Sequence, residues 1–377
     1  MIYCYVDKIG KLLVIRTRSG RKNVRCHMKI VVLAGGLSTE RNVALVTGTG
    51  VCRALREKGH QAILVDMFLG LENYEGALSD IFDAPDGLCS DVRVESTAPD
   101  LDAVRRSRKD QSASMFGQDV LTVCGMADVV FLALHGSCGE DGRVQATFDL
   151  LGIPYTGSGY LSSGMAMDKA ITKRYLDAEN IRSAPWRDVV YGEADIPRLV
   201  EELEVPCAVK IVNGGSSIGV ELPDTKEELE SALRNILAYG NHVIVEKKIV
   251  GRELTVGVLG DRYLPAVEII PKNAYFDYEA KYQSAFVTEV CPAQIEESVW
   301  HEMGEMALKL HRALGLSVYS RTDFLLDGEG KPWCLEVNTL PGMTPTSLMP
   351  QEAAAAGVSY NALCEKIIEL ALKEAEA

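Results

Sequence analysis

Residues 319–342 read YSRTDFLLDGEGKPWCLEVNTLPG and carry the strongest structural signal in the chain. Two apolar runs, TDFLL and WCLEV, flank the turn-like segment DGEGK, a pattern typical of a β-hairpin. Facing positions in an antiparallel pair follow from the centre of the turn, which we place at Glu329 and Gly330. The sequence therefore predicts a hairpin of defined register, provided that no β-bulge interrupts it.

Four polar side chains share one face of this predicted hairpin. Side chains alternate between faces with a period of two residues, so Asp323 faces Glu336 and Arg321 faces Asn338 on the same side. The opposite face is mostly apolar and able to pack on a core. It is expected to hold Thr322, Phe324, Leu326, Trp333, Leu335 and Val337.

Two carboxylates and an amide oxygen on one face are hard ligands that suit Mg²⁺. Asp323, Glu336 and Asn338 are thus candidate metal ligands, with Arg321 beside them. The alternative is a solvated strand face without a metal. Facing like charges lower stability, which favours a cation between the two carboxylates, but the hairpin alone does not choose between these interpretations.

The composition indicates a globular protein of more than one domain. The chain has 377 residues, of which 47% are hydrophobic and 24% charged. Its net charge of −14 argues against a nucleic-acid partner. No apolar run approaches the ~20 residues that span a bilayer, so no membrane partner is expected. Ten scattered cysteines, without CxxC or zinc spacing, predict reduced thiols in a cytoplasmic protein.

Residues 1–27 form a basic extension, in which seven Lys and Arg residues stand against one acid, Asp7. It lacks the apolar region of a signal peptide. A targeting segment or an anion-binding arm is one interpretation. We favour an extension with little structure, because Met28 opens the strand-like run MKIVVLAGG. Truncation to Met28 is then expected to leave folding and activity intact.

The order of elements predicts an α/β region followed by an α+β region. The apolar run 29–36, a helix over about 40–58 and the run 61–67 form a βαβ beginning. Residues 161–180 are predicted to be one helical stretch. The polar region 70–118 shows no periodicity that predicts an element.

Three further motifs are candidate ligand sites. NGGSSIG, residues 213–219, can present backbone N–H groups to an anion, with Lys210 nearby, but taken by itself the motif favours a flexible hairpin turn. HGSCGEDG, residues 135–142, follows a buried strand, where His135 is either a core residue or a ligand of a substrate carboxylate. VEKKIVGRE, residues 245–253, offers backbone groups to an adenine and is weak evidence alone.

Nine stretches, in order, resemble the motifs of D-alanine–D-alanine ligases of the ATP-grasp superfamily. They are MKIVVLAGGLSTERNVAL, HGSCGEDG, PYTGSG, MDKAITK, VKIVNGGSSIGV, VEKKIVGRELTV, DYEAKY, RTDFLLDG and LEVNTLPGMTPTSL. The resemblance implies an α/β plus α+β class: an N-terminal parallel-sheet (pre-ATP-grasp) domain followed by a two-domain ATP-grasp fold. The implied domains are 28–157, which binds substrate, then 158–245 and 246–377, the central and C-terminal ATP-grasp domains.

The resemblance implies that ATP and two Mg²⁺ (or Mn²⁺) ions are the cofactors, with Asp323, Glu336 and Asn338 as metal ligands. The implied ATP-binding residues are Lys169, Lys210, Gly215, Ser216, Ser217, Glu246, Lys247, Ile249 and Glu253. Among these, Lys169 and Lys210 would contact phosphates and Glu253 the ribose. Glu246, Lys247 and Ile249 would hold the adenine.

The implied reaction joins two D-alanine molecules to D-alanyl-D-alanine, through a D-alanyl phosphate, for peptidoglycan precursor synthesis. The residues implied in catalysis are Glu40, Ser216, Tyr282, Arg321 and Gly342. Those implied in substrate binding are His135, Lys281, Ser347 and Leu348. Residues 275–292 would be a lid, and the family implies a homodimer.

Tyr282 in DYEAKY favours an amine acceptor, and hence D-alanine over D-lactate. Two alternatives stay open: a related ligase with D-serine or D-lactate as acceptor, and an inactive ATP-grasp binding protein. Every motif position that can be matched carries a competent residue, which counts against the second. In one departure, Asn213 precedes the glycines where many relatives carry an acidic residue or arginine.

Overall fold

The computed structural model describes residues 27–89, 99–215, 219–271 and 287–376, together with the backbone of three strands nearer the N-terminus. These strands pair antiparallel in sequence order: β1 (Tyr3–Val6), β2 (Leu13–Thr17) and β3 (Gly20–Arg21). Residues 1–27 were expected to have little structure, and the three strands differ from that expectation for the residues that they include.

The N-terminal region is built on a parallel sheet with the strand order β5-β4-β6. Its strands are β4 (Lys29–Ala34), β5 (Gln61–Asp66) and β6 (Val129–Leu132). They are almost fully buried, as parallel strands between helices are. The helices are α1 (Arg41–Glu57), a 3₁₀ turn (Leu78–Asp83), α2 (Leu101–Ser107), α3 (Val120–Met126) and α4 (Arg143–Leu151). The predicted βαβ beginning is confirmed.

The turn between β4 and α1 is fixed by a buried ion pair. Arg41 pairs with Asp66 and donates to the carbonyl of Gly36 at 2.6 Å. Gly35 has a φ of +71°, and a Cβ there would lie 2.7 Å from the Asp66 carboxylate, so the turn needs glycine. This turn holds Glu40 at the carboxyl end of the sheet.

The region 70–118 is organised by one arginine. Arg108 is 2% exposed and donates to the carbonyls of Asp110 (2.5 Å), Ser112 (3.1 Å) and Ser114 (2.7 Å). Its guanidinium also lies 4.5 Å from the centroid of the Phe68 ring. One side chain thus satisfies several loop carbonyls, which no hydrophobic periodicity could have indicated.

The central region contains a four-stranded antiparallel sheet with the order β7-β10-β8-β9. Its strands are β7 (Trp186–Val190), β8 (Cys207–Ile211), β9 (Val220–Glu221) and β10 (His242–Lys247). Two helices, α7 (Ile196–Glu202) and α8 (Lys226–Ile236), share one hydrophobic core with it. The glycine-rich loop joins β8 to β9, as the sequence predicts.

Residues 161–180 form two helices rather than one, which corrects the prediction. They belong to α5 (Tyr160–Met167) and α6 (Lys169–Ala178). Asp168, between them, has an extended backbone, and its carboxylate accepts the N–H of Ile171 at 2.8 Å. Because Asp168 caps α6, Lys169 becomes the first residue of that helix.

The C-terminal region contains a six-stranded sheet with the path β14-β13-β11-β15-β16, on which β12 also pairs with β11. Its strands are β11 (Gly251–Leu259), β12 (Arg262–Tyr263), β13 (Val267–Pro271), β14 (Val287–Val290), β15 (Tyr319–Asp327) and β16 (Pro332–Asn338). The remaining helices are α9 (Glu297–Ala313), α10 (Leu348–Ala355) and α11 (Tyr360–Ala375). In the described residues, no helix combines the length and the apolar character needed to cross a bilayer.

Candidate functional site

A cavity of about 1270 Å³ gathers residues from all three regions. The predicted site residues that line it are Glu40, His135, Lys169, Gly215, Glu253, Arg321, Asp323, Glu336, Asn338, Gly342, Ser347 and Leu348. The predicted residues that lie outside this lining are Lys210, Glu246, Lys247 and Ile249. Ser216, Ser217, Lys281, Tyr282 and most of the predicted lid fall outside the described residues.

The hairpin register is confirmed at the site and broken just beyond it. Asp323 pairs with Glu336 and Arg321 with Asn338, as predicted, but the next pair is Phe324 with Cys334. Leu335 is therefore the extra residue of a β-bulge. The amide of Cys334 donates to the carbonyl of Arg182 at 2.9 Å, which accounts for the irregularity.

Because of the bulge, two residues that were predicted for the apolar face, Trp333 and Leu335, do not lie there. Leu335 lines the cavity instead of facing the core, and Cys334 is buried in the core at 1% exposure. Trp333 pairs with Leu325 and donates its indole N–H to Asp327. The prediction that Trp333 and Leu335 pack on the core was wrong, because one inserted residue moves the preceding positions to the other face.

Asp323 is held from several directions. It is 7% exposed, and its Oδ1 accepts hydrogen bonds from Thr255 Oγ1 and Arg321 Nε, both at 2.8 Å. Its Oδ2 accepts from Arg321 Nη2 at 2.9 Å and from Asn338 Nδ2 at 3.0 Å. Burial by itself lowers the pKa of Arg321, but the charge of Asp323 and the hydrogen bonds to it outweigh burial and raise this pKa.

Glu336 is the more accessible of the two facing carboxylates. Its Oε2 lies 3.4 Å from Nζ of Lys169, and its side chain is 34% exposed. The same Nζ donates to the carbonyl of Gly214 at 2.5 Å. Lys169 therefore contacts both the hairpin and the glycine-rich loop. Its positive charge lies between the candidate cation site on the hairpin and the candidate anion site at the loop.

A buried ion-pair cluster lies between α6 and the central sheet. Glu246 is 2% exposed and pairs with Lys173 and, at 2.5 Å, with Lys210. Burial raises the pKa of Glu246, but the charges of the two lysines outweigh it and lower this pKa overall. Only the backbone of Glu246 remains for its predicted adenine role. Sequence reasoning missed Lys173, although MDKAITK places it one helical turn after Lys169.

His135 is buried and both ring nitrogens have partners. Burial lowers its pKa, so the ring is neutral at neutral pH. Its Nδ1 lies 3.2 Å from the carbonyl of Leu340, which only accepts, so Nδ1 carries the proton and Nε2 accepts from Thr47 Oγ1 at 3.3 Å. This arrangement leaves the ring without a further N–H for a substrate carboxylate. The predicted role of His135 stays a prediction.

Two glutamates lie close together where the loops after β4 and β6 meet. Glu140 Oε2 accepts the N–H of Gly136 at 2.8 Å, and a Cβ on Gly136 would lie 3.0 Å from Glu40 Oε2. Burial, with the charge of Glu40, raises the pKa of Glu140 to about 8. Sequence reasoning did not single out Glu140, although the acidic centre of HGSCGEDG was the available signal.

The N-terminus of α10 opens on the opposite side of the cavity. Ser347 precedes the helix, and its Oγ lies 2.7 Å from Thr344 Oγ1 and accepts the N–H of Thr344 at 3.1 Å. The first N–H groups of a helix have no intrahelical acceptor, and the helix dipole favours an anion there. Ser347 and Leu348, near Gly342, thus form a candidate carboxylate site.

The hairpin face fits a hard divalent cation by its donor set. Asp323, Glu336 and Asn338 supply oxygens side by side on one face that lines the cavity. Within the described residues, no three or more His, Cys, Asp or Glu side chains gather as a metal-binding group, and Asn338 would add an amide oxygen to the two carboxylates. Asp323 would also have to exchange hydrogen-bond donors for the cation.

Two family models match the chain, one over its N-terminal part and one over its C-terminal part. The model described as D-ala D-ala ligase N-terminus matches residues 29–158, and that described as D-ala D-ala ligase C-terminus matches residues 181–369. A D-alanine–D-alanine ligase of Pediococcus pentosaceus is 43% identical over 343 residues, which cover 90% of this chain and 97% of that protein.

Solved structures agree with this similarity. The crystal structure of a D-alanine–D-alanine ligase from Bacillus anthracis is 31% identical, with a TM-score of 0.68, and covers 93% of this chain and 99% of that one. Its complex with ATP gives 28% identity and a TM-score of 0.67, with 93% and 98% covered. The predicted fold class, an N-terminal parallel-sheet domain followed by a two-domain ATP-grasp fold, is confirmed. The chain belongs to the D-alanine–D-alanine ligase family.

Proposed function

We propose that this enzyme uses ATP to ligate two D-alanine molecules into D-alanyl-D-alanine for peptidoglycan precursor synthesis. The observation that carries the proposal is the single cavity in which Lys169, the Asp323–Glu336 pair, Arg321 and the N-terminus of α10 converge. Together these groups supply a phosphate contact, a cation site, an oxyanion contact and a carboxylate site. An ATP-dependent carboxylate–amine ligase needs each of them.

The nucleotide lies between the two antiparallel sheets. The connection from β10 to β11 passes from one sheet to the other, so backbone groups near Lys247 and Ile249 are placed to hold the adenine. Glu253 lines the cavity and reaches the ribose. Lys169 and Lys210 contact the phosphates: Lys169 Nζ lies at the glycine-rich loop beside Gly214, and Lys210 is held by its ion pair with Glu246.

Two Mg²⁺ or Mn²⁺ ions would be held by Asp323, Glu336 and Asn338. When bound, they neutralise charge on the phosphoryl oxygens during transfer. The residues of this chain then position the substrate: the carboxylate of the first D-alanine attacks the γ-phosphate, giving D-alanyl phosphate and ADP. Glu40 holds the ammonium of the first D-alanine, and His135 holds its carboxylate once a ring nitrogen exchanges its present partner, Leu340 or Thr47.

The second D-alanine supplies the amine. Its carboxylate is held by Ser347 and the N–H of Leu348 at the start of α10. The amine attacks the acyl carbonyl, and inorganic phosphate leaves from the tetrahedral intermediate. Arg321 and the N–H of Gly342 stabilise the oxyanion of that intermediate.

An amine acceptor is supported by Tyr282 of the motif DYEAKY, since a tyrosine in this motif separates dipeptide from depsipeptide ligases in the family. Tyr282 and Ser216 would complete a hydrogen-bond network with Glu40, and Lys281 would contact substrate or phosphate. The segment 275–292 acts as a lid that excludes water from the acyl phosphate, whose hydrolysis is the competing reaction.

We also infer a homodimer. Helices α4 and α5 pack together and leave large apolar side chains exposed, among them Leu150 at 89% and Leu161 at 60%. Light scattering is expected to give the dimer mass for the wild type and the monomer mass for a Leu150→Glu, Leu161→Glu variant. Leu222→Glu, exposed at 54% on the central region, is the matched control that stays dimeric. A monomeric wild type refutes this inference.

We place the reaction in the cytoplasm, where ATP is available and thiols stay reduced. The eight cysteines of the described residues are free, and six of them are buried. Burial raises the pKa of the Cys124 and Cys364 thiols to about 12. Cell fractionation with an epitope-tagged chain tests the location.

The activity is tested by incubating the protein with ATP, Mg²⁺ and D-alanine. ADP and D-alanyl-D-alanine are expected in equal amounts. Absence of both products would falsify the ligase function. Competition with D-serine and D-lactate distinguishes the acceptors, and a mixed dipeptide or depsipeptide in excess of D-alanyl-D-alanine would reassign the second substrate.

A further inference from the structure

A buried glutamate that has no part in the reaction above lies beneath Arg321. Glu352 is in α10 and is 0% exposed. Gly257 of β11 pairs directly with Arg321 of β15, and a Cβ on Gly257 would lie 2.2 Å from Glu352 Oε2. The carboxyl group therefore occupies the space left by the missing side chain, next to the Arg321 position.

No side chain among the described residues donates a hydrogen bond to the Glu352 carboxyl group, and its one polar neighbour on the main chain is the backbone of Gly257. A buried polar group without a partner is costly, and a retained one calls for an explanation. Burial raises the pKa of Glu352 well above its usual range, while the charge of Arg321 acts in the opposite direction. Arg321 is thus the nearest compensating charge and is already paired with Asp323.

Arg321 consequently lies between two carboxyl groups: that of Asp323, with which it pairs, and that of Glu352, with which it does not pair in this structure. Both oxygens of Asp323 accept hydrogen bonds from Arg321 in this structure. If the proposed function holds, Asp323 binds a cation, and its oxygens are then withdrawn from the guanidinium. The Arg321 side chain is 18% exposed, and an arginine with so little access to water is destabilised when it loses its carboxylate, unless another acceptor replaces it.

We propose that Glu352 is a positioning residue, which takes up Arg321 when Asp323 engages a divalent cation. Glu352 presents its carboxyl group in the space at Gly257, beside the position of Arg321, and has no side-chain partner among the described residues. The exchange keeps the buried positive charge paired in both states, so cation binding does not have to overcome an unpaired Arg321. This inference rests on the proposed cation site but concerns a residue outside it.

The test measures Mn²⁺ binding in the presence of ADP, without D-alanine and without turnover, from the electron paramagnetic resonance signal of free Mn²⁺. Glu352→Gln is expected to weaken Mn²⁺ binding about 10- to 100-fold, the effect of losing a group that supports a metal ligand. Glu365→Gln is the matched control, since Glu365 is a 4%-exposed glutamate in α11, paired with Lys58 away from the cavity.

A double-mutant cycle identifies the partner. In an Arg321→Ala background, Glu352→Gln is expected to have little further effect on Mn²⁺ affinity, because no guanidinium remains to be held. Equal Mn²⁺ affinity of the wild type and Glu352→Gln, or an undiminished effect without Arg321, overturns the proposal. Glu352→Met supplies a second variant of similar length if glutamine impairs folding, which circular dichroism reports.

The proposed function and the positioning role of Glu352 are refuted by different results. A wild type that makes no dipeptide from ATP and D-alanine refutes the proposed function whatever Mn²⁺ does. A working ligase whose Mn²⁺ affinity is indifferent to Glu352 refutes only the positioning role.

Discussion

Asp323 shows how much of this site is set by neighbouring side chains. Four hydrogen bonds, two from Arg321 and one each from Thr255 and Asn338, fix its carboxylate in one orientation. Glu336, which faces Asp323, has a side chain that is 34% exposed to solvent, and it contacts Lys169 instead. The two carboxylates thus have different surroundings, although the sequence presents them as an equivalent pair.

We predict that Asp323→Asn and Glu336→Gln each lower kcat by about 100- to 1000-fold or more, because each removes a charge that holds the transferring phosphoryl group through the cation. Coupled-assay kinetics measure the loss, and circular dichroism checks that the fold persists. Glu329→Gln is the control, an exposed acid in the turn of the same hairpin. Activity near that of the wild type in either variant removes the metal role.

Glu140 gives a prediction on pH. Its folded pKa of about 8 lies above its usual value of 4.5, so the folded protein retains a proton that the unfolded chain releases. Stability contributed by this group is therefore lost as pH rises through this window. We expect the melting temperature of Glu140→Gln, relative to that of the wild type, to increase as the pH rises from 5 to 8. A difference that stays constant with pH, as expected for the exposed control Glu75→Gln, contradicts the assignment.

At the scale of elements, the interruption between α5 and α6 positions Lys169. The periodicity of 161–180 continues through Asp168, so a sequence pattern alone predicts one helix. The capping bond to Ile171 ends one helix and starts the next, which points the Lys169 side chain at Gly214 and Glu336. The capping bond is local, but it determines where the Lys169 side chain lies in the site.

We predict that Asp168→Ala costs about 1 kcal/mol of unfolding free energy, the usual effect of losing an N-cap. It is also expected to raise KM for ATP, because Lys169 loses its fixed starting position. Urea unfolding and steady-state kinetics measure the two effects. Thr225→Ala removes the comparable cap of α8, away from the cavity, and is expected to lower stability alone. Equal KM values in the two variants would separate the cap from ATP binding.

At the scale of the whole molecule, a buried ion-pair cluster ties α6 to the central sheet. Lys173 and Lys210 share Glu246, whose side chain is 2% exposed. Removing one member of a buried pair leaves uncompensated charge in a region without water. The cluster therefore couples the helix that carries Lys169 to the strand that carries Lys210.

We predict that Glu246→Gln lowers the unfolding free energy by about 3–5 kcal/mol, since two buried lysines lose their carboxylate. The folded pKa of Glu246 is below 4.5, so the stabilisation is present above pH 4.5 and is lost as pH falls through the folded value. Denaturant unfolding measures both. Glu302→Gln, which breaks a partly exposed pair with Arg182, is expected to cost less than about 1 kcal/mol. Similar losses in the two variants would argue against a special role for the cluster.

Residues 1–27 are expected to be dispensable. The family match begins at residue 29, and the parallel sheet begins at Lys29. A chain starting at Met28 should therefore melt at the temperature of the full chain and show the same kcat. Loss of activity on truncation would assign the basic extension a function.

The sequence by itself determined the βαβ beginning, the hairpin and the pairing of Asp323 with Glu336. These depend on local periodicity and on residues close in the chain. The bulge at Leu335, the partners of Glu246, the tautomer of His135 and the position of Glu352 were decided by the tertiary structure. Each depends on a group distant in sequence: Arg182, Lys173, Leu340 and Gly257 respectively. Burial and charge at such contacts exist only once the chain has folded, which is why no pattern along the sequence could predict them.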